Sequence, residues 1–373
     1  MSIKHVLITG GAGFIGAHVA NELLAHGYAV RALDALVPQV HGNSRERPPY
    51  LSNDVELMVG DIRDTNLLSK ALNNIDAVIN LVALVGVGQS MYQIAEYTSV
   101  NNGGTATLME LLSAQPVEAI VVASSMSVYG EGLYRNSKGE TKFALNRSLE
   151  DLKRSRWEMY DEDGEELTPI PTPETKTPAL ASLYALSKYD QEVMTLVLAR
   201  AYGMRAVALR FFNTYGPFQA LANPYTGVLS NFAARVLNGK APLIYEDGLQ
   251  KRDFVSVYDV ASACRLALES KAADGQALNI SSGQSMTVGE IASKTIRCLS
   301  ARGLEPELTG KYRVGDIRHC FADISRAQQV LGWSPSVSLE QGLEDLAAWL
   351  DGQETHDNSM EARAELAARG LVL

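Results

Sequence analysis

Short runs dominated by apolar residues, bounded by glycine or polar residues, recur along the chain at 5–9, 29–33, 55–62, 76–83, 119–123 and 206–212. Runs this short, apolar on both faces, read as buried parallel strands. Between them lie stretches of helical periodicity, clearest over 17–26 and 190–199. The alternation predicts an α/β fold, a doubly wound parallel sheet over residues 1–215. Beyond Pro217 the rhythm becomes irregular, which predicts a smaller C-terminal lobe over 216–350. A strand and helix near 250–270 are expected to return to the first domain. The polar, proline-rich segment 131–180 interrupts the pattern and reads as an insertion or lid, with a solvated loop as the alternative. A tail over 351–373 carries a short helical pattern at 360–366.

Composition narrows the class. At 373 residues, with 46% hydrophobic and 20% charged residues, the chain has the make-up of an ordinary globular protein of one large or two unequal domains. The net charge of −10 argues against a nucleic-acid or membrane-surface partner. No signal peptide or membrane-length apolar run is expected. Three widely spaced cysteines fit reduced thiols and a cytoplasmic location. The six histidines lack ligand-like spacing, so no metal site is expected.

The first run leads into Gly10-Gly11-Ala12-Gly13-Phe14-Ile15-Gly16 and then a helical stretch. Glycines at 10, 13 and 16 allow a tight turn and a close approach to a pyrophosphate at a helix N-terminus. The second run ends at Asp34, whose carboxylate would take the adenosine ribose and repel a 2′-phosphate. This order indicates a Rossmann dinucleotide site and favours NAD over NADP, with Arg31 and Arg45 near enough in sequence to matter. Asp61 and Ile62 close the third run, at a place suited to adenine.

Two stretches carry the candidate chemistry: Ser124-Ser125-Met126-Ser127-Val128-Tyr129-Gly130, at the end of the fifth run, and Tyr184-Ala185-Leu186-Ser187-Lys188. Residues four apart share a helix face. An ammonium about 4 Å from a phenol favours phenolate by about 4 kcal/mol at an effective dielectric of about 20. That is about three pKa units, enough to make Tyr184 a usable base. Ser125 would hydrogen-bond the reacting oxygen. Tyr134 and Lys138 share the spacing but sit in a polar, turn-like stretch. Arg252, Arg313 and Arg318 are candidate cations for a diphosphate.

Together these motifs resemble the extended short-chain dehydrogenase/reductase family, within it the nucleotide-sugar epimerases and dehydratases, over residues 3–350. The resemblance implies that Gly10, Gly13, Phe14, Ile15, Gly16, Asp34, Asp61, Ile62, Leu81, Ala83, Asn101, Ser124, Tyr184 and Lys188 hold NAD. It implies Ser125, Tyr184 and Lys188 as catalytic residues, and Ser125, Met126, Asn213, Arg252 and Arg313 as contacts to a nucleotide-sugar substrate bound largely by the C-terminal lobe. A homodimer formed through the Tyr184 helix is a further implication. Dehydratases of this kind follow the catalytic Thr with Asp-Glu; here Met126 and Ser127 stand instead, and neither supplies that acid–base chemistry. The pattern Ser125-Met126-Ser127-Val128-Tyr129-Gly130 is closest to 4-epimerases. The insertion and Asn223-Pro224-Tyr225-Thr226-Gly227-Val228 resemble bacterial dTDP-L-rhamnose 4-epimerases, which implies conversion of dTDP-L-rhamnose to dTDP-6-deoxy-L-talose. A 4-ketoreductase, a 4,6-dehydratase and a non-catalytic NAD sensor are the alternatives.

Overall fold

A computed structural model describes residues 3–143, 147–220, 227–301, 303–312, 316–351, 365 and 367–369. In chain order, the first half supplies β1 (His5–Thr9), β2 (Ala29–Asp34), β3 (Glu56–Val59), β4 (Ala77–Asn80) and β5 (Ala119–Ser125). The insertion supplies β6 (Leu133–Arg135), β7 (Thr141–Phe143) and β8 (Thr168–Ile170). Then come β9 (Arg205–Phe211), β10 (Asn213–Tyr215), β11 (Leu243–Ile244), β12 (Lys251–Ser256), β13 (Gln276–Ile280), β14 (Ser285–Thr287) and β15 (Glu307–Leu308).

The apolar runs form a seven-stranded parallel sheet in the order β13-β9-β5-β4-β1-β2-β3. Successive side chains of a strand point to opposite faces, and both faces here are buried. Val6 and Ile8 enter one core, which helices Phe14–Ala25 and Val257–Glu269 help to build. Leu7 enters the other, beneath helices Thr65–Ala71, Gly104–Ala114 and Leu183–Ala201. The chain runs outward from β1 to β2 and β3, then crosses to β4 on the other side. This switch point opens a crevice at the C-terminal strand ends, where ligands of such sheets collect.

The strand near 250, β12, pairs with β10 and β14 in a separate three-stranded sheet, while its Val255 joins the core under the large sheet. The seventh strand of the large sheet is β13, which pairs with β9 and was not foreseen. Its Gln276-Ala277-Leu278-Asn279-Ile280 is too short and too mixed to stand out. The helix Val257–Glu269 does return, packing against Phe14–Ala25.

A separate apolar cluster underlies the C-terminal lobe, where Phe232, Ile291 and Leu346 join helices Val228–Leu237, Val288–Cys298 and Leu339–Leu350. The insertion is not a solvated loop. It forms an antiparallel sheet, β7-β6-β8, over a small core of Tyr134, Met159 and Leu167. Tyr134 is strand-bound and buried, its hydroxyl donating to Glu131 (2.7 Å), so it takes no part in a pair with Lys138. All but one of residues 360–366 lie outside the described residues.

Candidate active site

Burial and hydrogen bonding set each side chain of the site. Ser182 caps helix Leu183–Ala201 by accepting from the Ala185 N–H (3.1 Å), a bond worth about 1 kcal/mol in such helices. The Tyr184 N–H, also in the first turn, donates to Ser90 Oγ (3.1 Å). The helix lies against β5, so Tyr184, Lys188 and Glu192, each one turn apart, share its inward-looking side. Tyr184, half-buried, lies near Ser125, the last residue of β5, whose hydroxyl acts to lower the phenol's pKa.

The electrostatics differ from the sequence expectation. Burial pushes the Tyr184 phenol up to about 12, and only the nearby Ser125 hydroxyl pulls it back. Burial also drives the Lys188 ammonium down to about 7, against the pull of Glu192. Loss of water therefore outweighs the mutual effect of the pair, because desolvation penalises both charged forms. In the chain by itself the lysine does not make the tyrosine a phenolate.

Two buried networks hold these groups, and the sequence reading missed both. Lys188 Nζ donates to Gln191 Oε1 (2.8 Å), and Gln191 Nε2 donates to Thr105 Oγ1 (2.8 Å) and the Val82 carbonyl (3.2 Å). Glu192 forms a two-pronged pair with Arg210 (2.6 and 3.0 Å) and accepts from Ser124 Oγ (2.6 Å). Arg210 continues to the Tyr129 hydroxyl (2.9 Å), which donates to Asn279 Oδ1 (2.7 Å). This network ties β5, β9 and β13 to the Tyr184 helix. The available signal was the spacing: Glu192 extends the four-residue step from Tyr184 through Lys188.

Because Lys188 is held neutral more easily than in water, it costs stability. Its folded pKa lies below its unfolded one, so the cost is complete below about 7 and fades as pH rises toward the ordinary lysine value. Lys188→Met is expected to raise the Tm of the cofactor-free protein near pH 7, with a smaller gain at pH 10. Thermal denaturation at both pH values checks this.

The glycine turn fits a dinucleotide. Gly10 sits at φ +71°, and a Cβ there would lie 3.1 Å from the Val82 nitrogen. At Gly16 a Cβ would fall 2.2 Å from the Gly10 oxygen, a clash with backbone. A Cβ on Gly13, by contrast, would have only the Gly10 oxygen within 4 Å, at 3.4 Å. Gly13 opens the helix Phe14–Ala25, which no side chain caps, so its first-turn N–H groups suit a pyrophosphate. Gly16→Ala is expected to weaken NAD binding at least about tenfold, the factor that 1.4 kcal/mol brings. Calorimetric titration with NAD measures it.

Asp34 is buried at the end of β2. Its oxygens accept from the N–H groups of Ala12 (3.0 Å) and Leu36 (2.9 Å), and His41 Nε2 stands 3.6 Å away. The carboxylate is thereby tied to the turn and keeps lone pairs for ribose hydroxyls. Arg31 is committed to Glu56 (2.8 Å) and to the carbonyls of Ala71 and Asn73, and Arg45 is exposed, which suits NAD rather than a 2′-phosphate. Asp61 is gripped by Arg63 (2.6 and 2.9 Å), whose hydrogen bonds hold its carboxyl below the usual range. Ile62 is buried in the core, whereas Leu81 and Ala83 follow β4, both half-buried, with Leu81 beside Gly10.

Several candidates have other duties. The Asn101 amide oxygen accepts from Leu84 N (2.7 Å), and its nitrogen donates to Leu84 O (3.2 Å) and Ser187 Oγ (2.9 Å). Asn101 thus braces the crevice wall against the Tyr184 helix. Ser124 joins the buried network, its hydroxyl donating to Glu192. Arg318 is fully enclosed by Glu158, Glu246 and Asp247, so it is no free cation for a diphosphate. Arg252 donates to the carbonyls of Lys251, Ile317 and Arg318, with Asp316 at 3.8 Å. Asn213 keeps a buried Oδ1 with no partner among the described residues, as a ligand-facing amide would. Met126 is half-buried beside Ser125, and Arg313 lies outside the described residues, as do residues 223–226 of the stretch at 223–228. Among the described residues there is no cluster able to hold a metal, and no helix long and apolar enough to cross a membrane. The three cysteines are free thiols.

The model of the NAD dependent epimerase/dehydratase family matches residues 6–148 and 155–281. The chain belongs to this family. It is 34% identical to the dTDP-L-rhamnose 4-epimerase of Burkholderia thailandensis, over 93% of this chain and 95% of that one. A UDP-glucose 4-epimerase of Thermotoga maritima, solved with UDP-glucose, superposes with a TM-score of 0.74 at 29% identity, covering 93% and 98% of the two chains. The Thermus thermophilus UDP-glucose 4-epimerase, solved with NAD, gives 0.72 at 29% identity over 94% and 100%. As a family member the chain is an NAD-dependent enzyme of the nucleotide-sugar epimerase type, and the glycine turn with Asp34 is consistent with that cofactor.

Proposed function

We propose that this enzyme interconverts dTDP-L-rhamnose and dTDP-6-deoxy-L-talose by inversion at C4. The observation that carries the reading is the placing of Ser125 at the C-terminal end of β5, with Tyr184 and Lys188 one turn apart on the helix packed against that strand. Similarity to a dTDP-L-rhamnose 4-epimerase along nearly the whole chain supports the choice of sugar. NAD, when bound, supplies a reversible hydride acceptor and a positively charged ring. Tyr184 takes the proton of the sugar 4-hydroxyl, and Ser125 hydrogen-bonds the same oxygen as its charge develops. Lys188 binds the nicotinamide ribose and, when protonated, stabilises the phenolate. The 4-ketosugar turns over between the two half-reactions, so one base serves both faces. Asn213, with Arg252 and Arg313, meets the diphosphate, and Met126 borders the sugar.

A cytoplasmic homodimer completes the reading. Leu186, Val193 and Val197 form an exposed apolar stripe along the Tyr184 helix, of the kind a second copy would cover. The test of specificity is a panel of dTDP-, UDP- and GDP-sugars incubated without added cofactor and read by product NMR. C4 inversion is expected to be fastest with dTDP-L-rhamnose. Faster inversion of a UDP- or GDP-sugar would overturn the choice of substrate, and loss of water would indicate a dehydratase; in a parallel incubation supplied with NADH, its stoichiometric consumption would indicate a ketoreductase.

A further inference from the structure

Ser127 occupies the second of the two positions where a dehydratase carries its acid and base, and the mechanism above gives it no task. It is buried in the turn Met126–Tyr129, which Val128 and Tyr129 anchor with fully buried side chains. Its hydroxyl donates to Ser125 Oγ (3.0 Å), and its backbone N–H donates to the same atom (3.2 Å). A hydroxyl oxygen has two acceptor lone pairs and one proton to give. With both lone pairs engaged, Ser125 is left as a donor only.

We propose that Ser127 is a positioning residue that makes Ser125 an obligate hydrogen-bond donor toward the oxygen of Tyr184 and the substrate O4. The relay runs from the Ser127 hydroxyl through Ser125 Oγ to the reacting oxygens. Each hydrogen bond in such a chain polarises the next, strengthening the last donor where negative charge gathers. The direction agrees with the effect of the Ser125 hydroxyl, which acts to lower the Tyr184 pKa. The other ionisable groups around Tyr184 are Lys188 and Glu192 on its own helix and Tyr97, buried on the neighbouring helix Ile94–Tyr97. Glu192 is paired with Arg210, and the Tyr97 hydroxyl donates to Gln89 (3.2 Å). Neither arrangement involves Ser127.

The proposal rests on the epimerase reading, and a double-mutant cycle tests it. Ser127→Ala keeps the backbone donor and removes only the hydroxyl. It is expected to lower kcat about three- to fivefold, with little change in KM, and to move the acid limb of the kcat–pH profile up by about half a unit. Ser127→Thr restores both, because it returns the hydroxyl. In a Ser125→Ala background Ser127→Ala should have almost no further effect. An equal loss in that background, a threonine variant no better than alanine, or an unmoved pH profile would overturn the relay. If no nucleotide sugar is turned over at all, the epimerase reading fails, and Ser127 is then judged on tyrosinate absorbance. In the NAD-loaded protein, the difference from Tyr184→Phe reports the Tyr184 titration. Ser127→Ala must shift it upward for the relay to stand, and an unchanged titration would reject it.

Discussion

Tyr184→Phe is expected to lower kcat by about 10³-fold or more, within the range that a positioned general base contributes. The substitution removes one oxygen. The helix keeps its Ser182 cap and the Tyr184 backbone bond to Ser90, because neither uses the phenol. The Lys188–Gln191–Thr105 chain is also left intact. NAD affinity should therefore stay within about twofold of the parent, a change of about 0.4 kcal/mol. The pairing of lost turnover with retained cofactor, measured by steady-state kinetics and calorimetry, separates a chemical role from a structural one. Activity within tenfold of the parent would remove Tyr184 from the mechanism.

The second large effect is on stability. Arg318 donates to Asp247 (2.7 and 2.9 Å), Glu246 (3.0 Å) and Glu158 (3.1 Å) with no exposed side-chain surface. Arg147 adds a buried pair to Glu246 (2.8 Å), and Glu131 accepts from the N–H groups of Arg318 (2.6 Å) and His319 (3.2 Å). These contacts clasp the insertion to the C-terminal lobe. Arg318→Met should cost about 3–5 kcal/mol, since three carboxylates then face one another with too little positive charge. The deficit should shrink in acid. Burial pushes the Glu158 carboxyl up, but His319 and Arg318 bring it down to about 2. Its stabilising contribution is therefore complete above the unfolded value near 4.5 and is lost as pH falls toward 2. Denaturant unfolding of both proteins at pH 7 and pH 4 tests the size and the sign. A loss below about 1 kcal/mol at neutral pH would mean that the clasp contributes as little as a surface ion pair.

The parallel sheet was legible because its strands are short apolar runs with glycine turns at their ends. The glycine turn, Asp34, Ser125 and the Tyr184–Lys188 step were legible for a similar reason: each depends on spacing along the chain. What stayed hidden depends on contacts distant in sequence. Asn279 lies 150 residues from Tyr129, and Glu131 lies 187 from Arg318. Nothing local to Arg318 distinguishes a cation waiting for a diphosphate from one enclosed by carboxylates. The pKa balance was hidden as well, since a pairwise Coulomb argument omits the water that both Tyr184 and Lys188 lose on burial. The insertion misled through composition: its polar residues largely surround a compact sheet and its buried ion pairs.

The central claim is that one base and one sugar carbon carry out an oxidation and a reduction that cancel. The most direct measurement uses dTDP-L-rhamnose deuterated at C4, incubated with the enzyme in ordinary water and read by product NMR. The account predicts inverted product that retains deuterium at C4. Inverted product carrying solvent hydrogen at C4, or recovery of unchanged sugar alone, would contradict it.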